Sequence, residues 1–103
     1  MTFKSILIAG ALFATTSLAH AADHVVTITG FSFVPATLTV AAGDTVTFIN
    51  KDGSLHTATD RGNAFDTGRL SRNKEATITF ATAGSFSYFC EVHPRMRGRI
   101  EVQ

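Results

Sequence analysis

Residues 83–96 read Ala83-Gly84-Ser85-Phe86-Ser87-Tyr88-Phe89-Cys90-Glu91-Val92-His93-Pro94-Arg95-Met96. Past the Ala83-Gly84 turn signal the side chains alternate. Phe86, Tyr88 and Cys90 fall on one face and Ser85 and Ser87 on the other, as a half-buried strand requires. The strand runs straight into a Cys90-x2-His93-x2-Met96 loop, which holds the chain's one cysteine and its only methionine besides Met1. A thiolate, an imidazole and a thioether at these intervals allow one short loop to wrap a single small ion. With a second histidine the set becomes that of a blue-copper site, two His and one Cys in a plane and a Met on the axis.

Working outward, the neighbouring segments also read as β. Gly98, Ile100 and Val102 alternate with Arg97, Arg99 and Glu101 after the loop, placing the charged residues outward. Before it, Ala76, Ile78 and Phe80 form an inward face. Thr45 to Phe48 alternates after an Ala41-Ala42-Gly43-Asp44 turn, Leu38 and Val40 share a face, and His24 to Thr29 is rich in β-branched residues before Gly30. Phe31 to Ala36 is a bend with aromatic packing, where Pro35 excludes a central strand. Lys51 to Arg72 is long and polar. It is expected to cross between two sheets, with one short strand around Ala64-Phe65. No segment of the mature chain carries a helical period. Short strands at turn-punctuated intervals predict a sandwich or small barrel.

Of the 103 residues, Met1 to Ala21 form a segment of their own. Lys4 precedes an apolar run from Ile6 to Phe13, and Ala19-His20-Ala21 is a small-x-small cleavage pattern. The run is too short to span a bilayer, so residues 1–21 read as a secretory signal peptide and 22–103 as one domain. Without Lys4 the chain has eight Lys/Arg against eight Asp/Glu. No basic excess points to nucleic acid, and no long apolar stretch in the mature chain points to membrane insertion. Export to an oxidising compartment also bears on Cys90, because a lone cysteine cannot form an internal disulfide. It is either a reactive thiol or a metal thiolate.

The fourth donor is sought among the other histidines. His56 lies in the loop after the Val46–Asn50 strand, where flanking strands fix its position. His24 sits at the mobile mature N-terminus and is the poorer choice. Zinc accepts Cys and His but rarely a thioether. Haem attachment needs a second cysteine. A Cys-His hydrolase lacks an oxyanion hole and a third orienting residue.

Taken together, Gly43-Asp44-Thr45-Val46-Thr47-Phe48-Ile49-Asn50, His56, Ala83 to Cys90 and His93-Pro94-Arg95-Met96-Arg97-Gly98 resemble the small type 1 copper proteins of the plastocyanin/azurin (cupredoxin) family. The tight loop spacing is that of its amicyanin branch. The resemblance implies a Greek-key antiparallel β-sandwich with one copper ion at one end, held by His56, Cys90, His93 and Met96. It implies a periplasmic one-electron carrier rather than an enzyme, a monomer working between redox proteins such as a c-type cytochrome or a periplasmic dehydrogenase. A copper carrier or store without an electron-transfer role is the alternative. Two residues depart from the family pattern: Thr57 stands where Asn often follows the first His and ties the two ligand loops together, and Arg95 stands in the loop where apolar residues usually form a docking patch. Arg95 is therefore expected at the docking surface, facing an acidic partner, while Arg97 and Arg99 are expected to be solvated charges. Phe48, Phe86 and Phe89 are the candidates for excluding water from the site.

Overall fold

The computed structural model describes residues 21–103, so the expected signal peptide, all but Ala21, lies outside the described residues. Eight strands are present: β1 (Asp23–Thr29), β2 (Ser32–Val34), β3 (Thr37–Val40), β4 (Asp44–Asn50), β5 (Thr59–Asp60), β6 (Glu75–Phe80), β7 (Gly84–Phe89) and β8 (Arg97–Val102). They form two four-stranded sheets, ordered β2-β1-β4-β6 and β3-β8-β7-β5. No helix occurs among the described residues. The alternation read from the sequence is the alternation of burial. Val26 and Ile28 of β1, Val46 and Phe48 of β4, Tyr88 of β7 and Ile100 of β8 are fully buried between the sheets.

The sandwich departs from the expected antiparallel arrangement, for each sheet contains one parallel pair, β1 with β4 and β3 with β8. A period of two says which face a residue takes but nothing about the direction of its neighbour. The short strand expected around Ala64-Phe65 is displaced to β5. The Phe65 carbonyl accepts a hydrogen bond from Asp60 N–H (2.9 Å) and the Phe65 ring is buried. Phe65 stacks on Phe48 with ring centroids 5.8 Å apart. Lys51 to Arg72 does leave one sheet and reach the other, as expected. Pro35 follows β2, an edge strand, in keeping with its missing donor.

At the end of the sandwich opposite the Cys90 loop, Asp44 gathers the chain's beginning and the β3–β4 turn. Its carboxylate accepts N–H from Ala22 (2.9 Å) and Ala41 (3.0 Å) and contacts His24 Nε2 (2.9 Å). His24 is thus engaged far from the Cys90 loop. The Ala22 N–H, then the His24 ring and the Ala41 N–H, bring the Asp44 carboxyl down to about 2, from an ordinary 3.8. A carboxyl with a depressed folded value contributes stability that is complete above 3.8 and lost as pH falls towards 2. Asp44→Asn is expected to lower the melting temperature at neutral pH, with the gap to the parent chain closing between about pH 4 and pH 2. Thermal unfolding monitored by circular dichroism across that range would show it, and a gap that stays constant would refute it.

Candidate metal centre

Three connections meet at one end of the sandwich: the β1–β2 turn, the β4–β5 loop and the β7–β8 loop. The third is held by its own backbone. Phe89 and Arg97 are the last paired residues of β7 and β8, and between them Cys90 N–H donates to Met96 O (3.2 Å) and Met96 N–H to His93 O (2.9 Å). Cys90 and Met96 are thereby buried and His93 is left half-buried.

His56 arrives from the β4–β5 loop, fixed in backbone and ring. Its N–H and C=O pair with those of Leu70 (3.2 and 2.8 Å). Asn50, fully buried at the end of β4, donates to Ser54 O and Leu70 O and accepts from Asp52 N–H. Asp52 then holds the ring, its Oδ2 lying 2.9 Å from His56 Nε2. A carboxylate can only accept, so Nε2 carries the hydrogen and Nδ1 keeps a free lone pair.

That lone pair meets the other donors. His56 Nδ1 and His93 Nδ1 are 3.2 Å apart, and Cys90 Sγ lies 3.8 Å from the first and 3.9 Å from the second. A point in their plane lies about 2 Å from all three, a bonding distance for a metal with imidazole nitrogen and thiolate sulfur. The sulfur also accepts N–H from Thr57 (3.3 Å) and His93 (3.4 Å). Among the described residues, His56, Cys90 and His93 are the group able to hold a metal ion. Met96 closes the same loop with a soft thioether. Two imidazoles, one thiolate and a thioether fit one copper ion.

Thr57 supplies the tie that the departure from Asn had put in question. Its Oγ1 accepts Glu91 N–H (2.8 Å) while its own N–H donates to Cys90 Sγ, so the two loops are joined by a hydroxyl instead of an amide. Thr59 and Asp66 anchor that hydroxyl in turn.

Sequence reasoning missed Phe31 and Asp52. The Phe31 ring stands edge-on to both imidazoles, with centroids 5.1 Å from His56 and 4.9 Å from His93. It is half exposed and covers the rings from the solvent side. Its backbone has a φ of 57°, a left-handed conformation uncommon for a bulky residue. Asp52 stabilises the turn by accepting N–H from Gly30 (2.8 Å) and Phe31 (2.9 Å). Burial alone would raise the Asp52 carboxyl, but the Phe31 and Gly30 N–H groups and the His56 ring outweigh it and hold it below the ordinary range. Of the phenylalanines expected at the site, Phe48 belongs to the core, Phe86 packs on Phe80, and Phe89 lies under the Arg61 guanidinium. The signal for Asp52 was its place just after the β4 alternation ends. Phe31 had none, because only folding brings residue 31 to residue 93.

Asp52→Asn is expected to set an amide hydrogen either against Gly30 N–H or against Phe31 N–H and the His56 ring together. In both cases it replaces a charged acceptor by a neutral one, loosening the His56 ring and the Phe31 turn. Loss of such a supporting partner weakens metal binding by about 10–100-fold. Competition with a Cu(I) chelator would measure it, and an unchanged affinity would show that Leu70 and Asn50 suffice to hold His56.

The cupredoxin-like domain model matches residues 4–102. Amicyanin of Paracoccus denitrificans is 36% identical over 84 residues, covering 77% of this chain and 64% of the relative, so the chain spans a little under two thirds of that protein's length. The chloroplastic plastocyanin of Tetradesmus obliquus is 37% identical over 84 residues, covering 69% of this chain and 58% of the relative. Among solved structures, an oxidised amicyanin variant superposes with a TM-score of 0.74 at 31% identity, over 79% of this chain and 82% of that one. A copper-containing nitrite reductase from Thermus scotoductus gives 0.75 at 28% identity, over 86% of this chain but 24% of the enzyme. The chain belongs to the cupredoxin-like domain family.

Proposed function

We propose that the chain is a periplasmic type 1 copper protein that carries single electrons between redox partners, with His56, Cys90, His93 and Met96 as its copper ligands and residues 1–21 removed on export. The observation that carries this reading is the convergence of His56 Nδ1, His93 Nδ1 and Cys90 Sγ on one point. Copper bound there supplies a Cu(II)/Cu(I) couple. The chain's own part is to keep the donors still. Leu70 and Asp52 fix His56, Thr57 joins the two loops, and the β7–β8 pairing sets the position of Met96. Donors that cannot rearrange give a ligand field between the preferences of the two oxidation states, so little reorganisation accompanies transfer. Half-buried His93 is the donor nearest solvent and the expected point of exit, toward a c-type cytochrome or a periplasmic dehydrogenase.

A copper carrier or store needs ligands open to exchange, whereas His56, Cys90 and Met96 are buried. Titrating the purified chain with Cu(II) is expected to give an intense visible band that bleaches and returns on cycles of reduction and oxidation. A colourless protein that holds only Cu(I) would overturn the electron-carrier reading.

A further inference from the structure

The outer face of the β3-β8-β7-β5 sheet concentrates positive charge that holding copper does not use. Its register sets Thr37, Arg99 and Ser87 side by side across three strands, and Arg61 N–H donates to Ser87 O (3.0 Å), extending the row. One step nearer the metal centre, Arg97 stands opposite Phe89, and the Arg61 guanidinium lies 4.6 Å from the Phe89 ring centroid. A groove of about 330 Å³ runs between Arg61, Arg97 and Arg99. At Ala36 and Arg97 it joins a second groove of about 320 Å³, lined by Phe31, Arg95 and Met96. The two make one strip from Arg99 up to the ring that covers the imidazoles.

Charge complementarity sets the occupant. Apart from Lys4 the chain has as many acidic as basic residues, yet Arg61, Arg95, Arg97 and Arg99 all line this strip. Among the described residues only Arg99 of the four pairs with a carboxylate, that of Glu101 at 3.2 Å. Nearby Asp60 spends an oxygen on the N–H groups of Gly62 and Ala64. Asp23, Asp44 and Glu75 lie on the other sheet, so Arg61, Arg95 and Arg97 meet no carboxylate partner along the strip itself. Guanidinium groups grip planar carboxylates two-pronged. The Phe89 ring is already covered by Arg61 and not open to stack a nucleobase on that face.

We propose that this strip is the docking surface for the redox partner, and that the partner lays a carboxylate-rich segment along it. The proposal rests on the electron-carrier reading and names the chemistry of the partner. Arg97 and Arg99 are then working parts of the interface and not the solvated charges that the sequence suggested. An acidic segment in the strip ends beside Phe31 and Met96, which brings the partner's body over His93. The attraction steers encounter and weakens as salt rises.

The test uses the copper-loaded, reduced chain and deca-glutamate as probe, followed by amide NMR shifts at low salt. Shifts are expected at Arg61, Ser87, Phe89, Arg95, Arg97 and Arg99, fading as salt is added. Arg97→Glu with Arg99→Glu should weaken binding about tenfold or more, while Arg69→Glu in the β5–β6 connection changes it less than about twofold. The blue band of each variant, recorded on the oxidised protein before reduction, reports that fold and copper are kept. Shifts scattered over the surface, or an equal loss from Arg69→Glu, would overturn the proposal, as would decathymidylate binding the strip more tightly than deca-glutamate. A blue parent chain that ignores deca-glutamate sinks the docking proposal alone, whereas a parent chain without the blue band sinks the carrier reading beneath it.

Discussion

Cys90→Ser is expected to remain folded and to show no intense visible band on titration with Cu(II). The colour of such a site arises from charge transfer between thiolate sulfur and copper, and a hydroxyl has no comparable donor orbital. Affinity should fall by more than the about 10–100-fold assigned to loss of a supporting partner, since a donor itself is removed. The fold is protected because a serine oxygen can still accept from the Thr57 and His93 N–H groups, both of which point at this position. Thermal unfolding of the metal-free variant therefore serves as the control. A full-strength blue band in Cys90→Ser would remove Cys90 from the ligand set and with it the proposed function.

Gly98→Ala should be the most damaging small substitution in the frame. Gly98 pairs with Tyr88 across β7 and β8, and a Cβ there would sit 2.4 Å from both Tyr88 Cζ and Oη and 2.8 Å from Cε2. The ring cannot retreat. It is fully buried with Phe33, Phe48 and Phe65 around it at centroid distances of 4.7, 5.4 and 5.8 Å. Overpacking against so enclosed a ring costs about 3 kcal/mol, at the upper end for core insertions. For a domain of this size that is a fall in melting temperature of roughly 12 °C or more. Tyr88 adds a second test. Among the described residues its hydroxyl is buried without a partner, and burial drives its ionisation far upward, so it brings a desolvation penalty and no bond. Tyr88→Phe is expected to be neutral or stabilising by about 1 kcal/mol, and to recover part of the loss in Gly98→Ala because one of the clashing atoms is gone. A Gly98→Ala protein as stable as the parent would show that the sheets part more readily than their packing implies.

These two residues mark what the sequence reveals and what it hides. The inward placement of Tyr88 and Gly98 follows from alternation alone, and so do the positions of Val46, Phe48 and Ile100, because a strand with one buried face must repeat every second residue. The Cys90–Met96 loop is legible for a related reason, since its donors are close in sequence and their spacing is their geometry. What stays hidden depends on segments that meet only after folding. Asp52 reaches both the β1–β2 turn and His56, Phe31 crosses to His93, and Arg61 joins Arg97 and Arg99 through the pairing of β5 with β7. The parallel partners of β1 and β3 belong to the same class, as strand direction leaves no trace in hydrophobic pattern.

The Asp44 clamp bears on how the chain matures. If export ends with cleavage after Ala21, the Ala22 nitrogen ceases to be an amide and becomes an ammonium group, 2.9 Å from Asp44 Oδ1. A neutral hydrogen bond would turn into a charge-assisted one, roughly twice as strong. A cut one residue earlier or later would put the new charge away from that carboxylate. The far end of the sandwich would then act as a gauge of processing, rewarding with extra rigidity the one terminus that fits, at the end of the sandwich away from the Cys90 loop.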